Sequence, residues 1–265
     1  MIIAHSKQEL EEIIAPLKEE GRTIGFVPTM GALHAGHLSL VDLARRHADK
    51  IIVSIFVNPT QFAPHEDFDA YPRDLEGDAA KLDTAGVDIV YAPRETDIYP
   101  DGKDITVKAG AMAKGLEGDF RPTHFDGVVT VVHRLFSQVQ PDVAVFGEKD
   151  FQQLQVIKEM AAAERLSVEI VGGLIARDEH GLALSSRNAY LSAEELEIAR
   201  KLNKILRHCA EEIARGRAVE TATQEAENAL LEAGFDKIDY VRFWQGRVLA
   251  AAFLGRTRLI DNIAA

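Results

Sequence analysis

Cysteine is nearly absent: the chain has one, Cys209, in 265 residues, which excludes an internal disulfide and a zinc site built from thiolates alone. Its setting, "LRHCAEEI", reads as a buried helical thiol rather than a nucleophile. Long apolar runs are lacking as well. Stretches such as "IIVSIFV" are far too short to span a bilayer, and residues 1–5 do not form a basic segment leading into an apolar one. The expectation is a cytoplasmic protein with no membrane partner. Positive charge is in deficit, 30 basic against 42 acidic residues for a formal net charge of -12. That argues against nucleic acid as a partner, and an anionic ligand would have to be held by focused local groups. There is no internal repeat, low-complexity tract or proline-rich linker.

What is present is an alternation. Short β-type runs, "TIGFV", "IIVSIFV", "VDIVYA", "DVAVFG" and "SVEIVG", are separated by helical patterns. Near-continuous apolar strands between helices predict a parallel sheet covered on both faces, a doubly wound, Rossmann-like α/β domain over residues 1–175. Beyond it the pattern changes. "LSAEELEIARKLNKILRHCAEEIARG" predicts a long amphipathic helix opened by a capping box of Ser192 and Glu195, a second helix follows to about Ala233, and "KIDYVRFW", "RVLAAAFL" and "TRLIDNI" read as strands. Residues 176–265 are thus expected to form a smaller α+β domain.

The end of the first of those runs leads into "FVPTMGALHAGH", with His34 and His37 three residues apart at a helix start. In a parallel sheet, ligands bind outside the carboxyl ends of the strands, where this stretch falls. Gly31 and Gly36 would let backbone approach a ligand, and the N–H groups of the following helix favour an anion. Neither G-x-G-x-x-G nor G-x-x-x-x-G-K-[ST] occurs at this turn, so hydride-transfer and P-loop chemistry lose their main support. Two imidazoles could donate hydrogen bonds to phosphate oxygens as charge builds up in a transition state. The bland alternative is a pair of surface or core histidines; a metal pair is the other, without an H-E-x-x-H pattern to support it.

The ten residues "PTMGALHAGH" resemble the nucleotide-binding motif of the HIGH superfamily of nucleotidyltransferases and, in this full form, that of the pantothenate synthetase family. The resemblance continues through "NPTQFAPHEDFDAYPRD", "RPTHFDGVVTVV", "FGEKDFQQL", "GLALSSRNAYLS" and "RTRLIDNI", in order along nearly the whole chain. Thr123 stands where glycine is frequent in the family, and Arg134 where lysine is frequent.

The resemblance implies an ATP- and Mg²⁺-dependent ligase that joins pantoate to β-alanine through a pantoyl adenylate and releases AMP and pyrophosphate, acting as a homodimer. A carboxylate is a poor electrophile, so transfer of AMP to it supplies a leaving group. No covalent nucleophile is then needed, which fits the lack of a serine or cysteine elbow. Such phosphoryl-centred steps depend on positioning and charge stabilisation. By resemblance His34, His37, Lys149 and Arg187 are the catalytic set. The nucleotide would lie along Met30, Gly31, Ala32, Leu33, Ala35 and Gly36, then Gly147, Glu148 and Asp150, then Ala176, Leu184, Ser185 and Ser186. Gln61 and Gln153 are the expected pantoate and β-alanine contacts, with Met30, Phe62, Tyr71, Arg121 and His124. A neutral amide binds hydroxyls without holding the attacking carboxylate too tightly. Asp78, in the acidic run "EDFDAYPRDLEGD", is the expected carboxylate near the metal. A nucleotidyltransferase of the same fold that needs no amine is the nearest alternative, ahead of a non-catalytic nucleotide-binding module and a metal hydrolase.

Overall fold

The computed structural model describes residues 1–63 and 68–265. Residues 64–67, within "NPTQFAPHEDFDAYPRD", lie outside them. The chain divides into two compact units, Met1–Glu148 with Gln152–Gly173, and Lys149–Phe151 with Leu174–Ala265.

In the first unit the strands are β1 (Ile2–Ala4), β2 (Ile24–Thr29), β3 (Lys50–Ile55), β4 (Ile89–Tyr91), β5 (Val143–Gly147) and β6 (Glu169–Gly173). The helices are α1 (Lys7–Glu19), α2 (Ala35–Ala44), α3 (Leu75–Thr84), the short α4 (Glu95–Ile98) and α5 (Glu117–Phe120), α6 (His124–Val139) and α7 (Phe151–Ala163), which begins at the unit boundary. All the strands pair in parallel, in the order β1-β4-β3-β2-β5-β6. From β2 the chain winds outward to β3 and β4, then returns to lay β5 on the other side of β2. The topological switch point therefore falls between β2 and β5, the crevice where such sheets take ligands. This is the doubly wound sheet expected from the alternating runs, with β1 added at the edge.

Pro28 opens that crevice. Along β2 the carbonyls of Thr23 and Thr29 accept from the β3 side, at Lys50 and Phe56, whereas that of Ile24 accepts from Asp142 beside β5. Backbone groups alternate in direction along a strand, so the nitrogen of Pro28 faces β5 and has no hydrogen to donate. Pairing of β2 with β5 accordingly stops at Phe26↔Ala144, although pairing with β3 runs on to Thr29↔Ile55. An apolar cluster including Val27, Leu33, Val41, Ile51, Val53, Leu82, Val90 and Val145 packs beneath this region.

The second unit contains α8 (Ala193–Ala214) and α9 (Val219–Ala233) with an antiparallel sheet of β7 (Lys237–Trp244), β8 (Arg247–Leu254) and β9 (Thr257–Ala264). The capping box is present: Ser192 Oγ accepts from the Glu195 N–H at 3.2 Å, and a Glu195 carboxylate oxygen accepts from the Ser192 N–H at 2.7 Å. The helices pack Leu202, Leu206, Ala226 and Leu230 onto Val241, Val248, Ala250 and Ala252 of the sheet. Cys209 is buried in this core, and burial, with Glu225 adding to it, pushes its thiol up to about 11. It is inert as a nucleophile near neutrality. Among the described residues, no helix is long and apolar enough to cross a membrane.

Candidate active site

The loop that leaves β2 is determined at several points. Thr29 Oγ1 donates to the Ser54 carbonyl at 2.7 Å and accepts from the Gly31 N–H at 3.2 Å. Gly31 and Ala32 are then both left-handed, with φ of 82° and 52°. A Cβ on Gly31 would lie 3.1 Å from Asp78 Oδ2 and 3.2 Å from Ile55 Cγ2, so glycine is needed there for both conformation and space. Asp78, buried on α3, accepts the Leu33 N–H on Oδ1 at 2.9 Å. Lys81, one turn on, donates to the Leu33 carbonyl at 2.9 Å and to the same Oδ1 at 3.1 Å. Both backbone groups of Leu33 are therefore fixed from α3.

Leu33 delivers His34 as the N-cap of α2. Its Nδ1 accepts from the Gly36 N–H at 3.1 Å, while the His34 N–H donates to Nδ1 of His37 at 3.3 Å. This is a capping box made by two imidazoles. A nitrogen that accepts from a backbone N–H carries no proton, so in the neutral rings this network assigns the proton of each to Nε2. Each histidine is thereby set as a donor, with ring centroids 4.2 Å apart.

A second group of side chains in the first unit gathers around the turn Pro59–Gln61. Gln61 Nε2 approaches Met30 Sδ at 3.1 Å, and Gln61 Oε1 accepts from Asn58 Nδ2 at 3.1 Å. The Gln61 carbonyl accepts from His124 Nδ1 at 2.9 Å, with Arg121 Nη2 at 3.4 Å. Because Nδ1 donates, His124 Nε2 is the acceptor facing Arg121 Nη1 at 3.1 Å. Phe62 meets the ring of Tyr71 edge-on, centroids 6.0 Å apart. Met30, Gln61, Phe62, Tyr71, Arg121 and His124 thus fall into two linked contact groups. Gln153 is half-buried on α7. Its neighbour Gln152 is a structural residue, its amide donating to the Met112 and Gly115 carbonyls at 3.0 Å and accepting from the Glu117 N–H at 2.9 Å.

Asn58 escapes sequence reasoning. It is 1% exposed, accepts from Tyr99 Oη at 2.6 Å and from Thr60, and donates to the Gly127 carbonyl as well as to Gln61. Burial pushes the Tyr99 phenol up, although hydrogen bonding to Thr60 opposes it, so Tyr99 stays a neutral donor. The available signal was the dipeptide Asn-Pro ahead of Thr60, an Asx-turn start. The two departures from the family pattern are accommodated. Thr123 precedes α6 with φ of -104°, a conformation open to any residue. Arg134 donates to the Ile98 carbonyl at 2.6 Å while its guanidinium lies 4.8 Å over the Tyr99 ring.

In the second unit, residues 176–184 form a small hairpin: Arg177 bridges Ala183, and the Leu184 N–H donates to the Ala176 carbonyl at 2.9 Å. It runs directly into the turn Ser186–Tyr190, where Ser185 is the N-cap and accepts from the Arg187 N–H at 3.3 Å. Lys149 and Asp150 lie in the turn Glu148–Asp150 that follows Gly147, their charged atoms 3.9 Å apart.

Asp78, the carboxylate expected near the metal, already has partners within the protein. Its Oδ1 is shared by a backbone N–H and an ammonium, and among the described residues no group of three or more His, Cys, Asp or Glu side chains could hold a metal ion. Its Oδ2 is buried and has no hydrogen-bond partner among the described residues.

A parallel sheet opened at its switch point, with a donor-primed helix start beside it, defines a nucleotide-binding α/β enzyme. The sequence profile of the pantoate-beta-alanine ligase family matches residues 2–264, and the chain belongs to that family. It is 49% identical to the pantothenate synthetase of Caulobacter vibrioides over 99% of this chain and 98% of that one. It is 50% identical to that of Mesorhizobium japonicum, over 98% and 96%. The structure of the Thermus thermophilus enzyme superposes with a TM-score of 0.92 at 42% identity, covering 100% of this chain and 99% of that one. The Francisella tularensis ligase, solved with "Beta-gamma ATP and Beta-alanine", gives 0.89 at 38%, covering 100% and 97%. The chain is therefore a ligase that forms the amide bond between pantoate and β-alanine, the step that makes pantothenate.

Proposed function

We propose that the reaction runs as two displacements, with the first unit holding the acid and His34 and His37 serving the phosphates. The pantoate carboxylate attacks the α-phosphorus of ATP, pyrophosphate leaves, and the β-alanine amine then attacks the acyl carbon of the adenylate, expelling AMP. The observation that carries this reading is the geometry of the histidine pair: each Nδ1 accepts from a backbone N–H, which leaves the proton of each neutral ring on Nε2 to be donated to oxygens that gain negative charge. Lys149, Ser185, Ser186 and Arg187 are the further phosphate contacts, Gly147, Glu148 and Asp150 the contacts towards adenosine, and Ala176 and Leu184 backbone neighbours of the nucleotide.

Gln61 supports the acid's place. Its side chain is oriented by Asn58 beside Met30, joining a neutral amide to an apolar thioether, a match for hydroxyls next to geminal methyl groups. Phe62, Tyr71, Arg121, His124 and Gln153 complete the proposed pantoate and β-alanine set. Mg²⁺ would arrive on the triphosphate with oxygen ligands from phosphate and water. A homodimer, which the family resemblance implies, and a cytoplasmic location belong to the same proposal.

Pyrophosphate and AMP release from ATP and Mg²⁺ tests it, with pantoate alone and then with β-alanine added. Sustained release that requires both supports the two-step reading. Sustained release without the amine would instead make the chain a nucleotidyltransferase, and sedimentation would decide the dimer.

A further inference from the structure

The stretch "RTRLIDNI" closes the family resemblance and holds none of the proposed site residues. Two adjacent polar residues at its centre, Asp261 and Asn262, are 3% and 1% exposed. They pair with Ala250 and Leu249 of β8, the middle strand of the second unit's sheet, so they stand on a rigid element. Neighbouring residues of a strand point to opposite faces, and each of these reaches a different segment.

Asp261 holds the hairpin. Its carboxylate accepts both Nη1 and Nη2 of Arg177, at 2.7 and 2.8 Å, a bidentate pair, and Asn203 of α8 lies 3.4 Å from Oδ2. Arg177 also donates to the Gly181 carbonyl at 3.0 Å, closing the hairpin whose second arm continues into Ser185, Ser186 and Arg187. Asn262 holds the other segment. Its Nδ2 donates to the Lys149 carbonyl at 3.0 Å, and its Oδ1 accepts from Arg247 Nε at 2.6 Å. The Arg247 guanidinium lies 4.9 Å over the ring of Phe151, which meets Trp244 edge-on. The two residues are themselves tied, since the Asn262 N–H donates to Asp261 Oδ1 at 2.7 Å and Arg177 Nη2 reaches the Asn262 carbonyl at 3.3 Å.

A buried ion pair is a weak source of stability compared with apolar packing of the same volume. What it supplies is a single geometry. We propose that Asp261 and Asn262 are positioning residues for the ligation: one dipeptide fixes the Ser185–Arg187 turn through Arg177 and the Lys149 backbone through an amide hydrogen bond. It thereby sets the spacing of the two segments, within this unit, that receive the triphosphate. This rests on the assignment of Lys149, Ser185, Ser186 and Arg187 to ATP made above.

The test is steady-state pyrophosphate release by the full chain carrying Asn262→Asp, Asp261→Asn, Lys149→Ala, and each of the first two combined with the third. Asn262→Asp keeps the shape but replaces the donor with an acceptor. Its turnover falls about tenfold to a hundredfold, as expected for a small misplacement of a catalytic group. The KM for ATP rises and that for β-alanine does not. In the Lys149→Ala background the same change costs less than about twofold more, because the group it positions is gone. Asp261→Asn keeps a clear loss in that background, since it acts on the other segment. Should Asn262→Asp fail to fold, Asn262→Ser removes the amide and is read the same way. Normal turnover in Lys149→Ala overturns the ATP assignment and this proposal with it. A slow Lys149→Ala beside normal Asn262→Asp and Asp261→Asn overturns the positioning role alone, as does an undiminished Asn262→Asp loss in the Lys149→Ala background.

Discussion

His34 and His37 cap one helix with each other: the backbone N–H of the first donates to Nδ1 of the second at 3.3 Å, while Nδ1 of the first accepts from Gly36. The imidazole of His34 therefore has a structural use on one nitrogen and a proposed chemical use on the other, and the two can be separated. Asparagine is among the best N-caps, so His34→Asn keeps the helix start while removing the Nε2 donor. Adenylation in His34→Asn should fall about 10² to 10³-fold, the usual result of losing one transition-state donor. His34→Ala should add roughly 1 kcal/mol of destabilisation from the lost cap. Pyrophosphate bursts and denaturant midpoints measure both; full activity in His34→Asn would leave the ring with its capping role only.

Gly127 on α6 lets the Gln61 turn pack against the helix. A Cβ there would lie 2.4 Å from the Thr60 carbonyl oxygen and 2.9 Å from the Gln61 nitrogen, both backbone atoms that move only with the whole turn. Gly127→Ala should cost about 1–3 kcal/mol as an overpacked contact. It should also raise the KM for pantoate with little change for ATP. Equal changes in both constants would place Gln61 away from the acid.

The sheet was legible because its strands are short apolar runs, and the capping box at Ser192 because Ser and Glu three apart precede a periodic helix. β1 was not, since a three-residue strand carries too little periodicity. The linear pattern also hides Pro28. A proline in a central strand reads as a fault, and only the pairing shows that its nitrogen faces the side where the sheet opens. His34, His37 and Gln61 were visible as residue types in a motif. Asn58, Asp261 and Asn262 stood in matched stretches without a task, and Arg177 outside them, because the task of a buried polar residue is set by its partners, which lie 84 residues apart for Arg177 and Asp261.

Asp178 gives the hairpin a dependence on pH. Burial alone would raise its carboxyl, but hydrogen bonds from the Leu182 and His180 N–H groups and the charge of Arg200 outweigh it, leaving the group below the usual carboxylate range. A carboxyl depressed on folding adds stability above its unfolded value of about 4, and that stability is lost as pH falls through the folded value. Wild-type protein should therefore lose unfolding free energy more steeply below about pH 4 than Asp178→Asn does. Thermal melts across pH 2–6, roughly the range in which carboxyls titrate, compare the two; parallel curves would remove Asp178 from the acid response.

Asp78 separates positioning from metal binding. Removing its carboxylate in Asp78→Ala leaves the Leu33 N–H, 2.9 Å from Oδ1 in the native protein, buried without that acceptor. The cost should be about 1–3 kcal/mol, with a loss of turnover because Leu33 leads directly into His34. Asp78→Asn keeps an oxygen for Leu33 and removes the charge. A positioning residue predicts that Asn restores most of the stability and leaves the Mg²⁺ concentration for half-maximal rate unchanged. A metal ligand predicts the reverse, a large rise in that concentration with normal stability. The Lys81 ammonium already 3.1 Å from Oδ1 favours the first outcome, since a metal at that oxygen would have to displace a cation held in place by the Leu33 carbonyl.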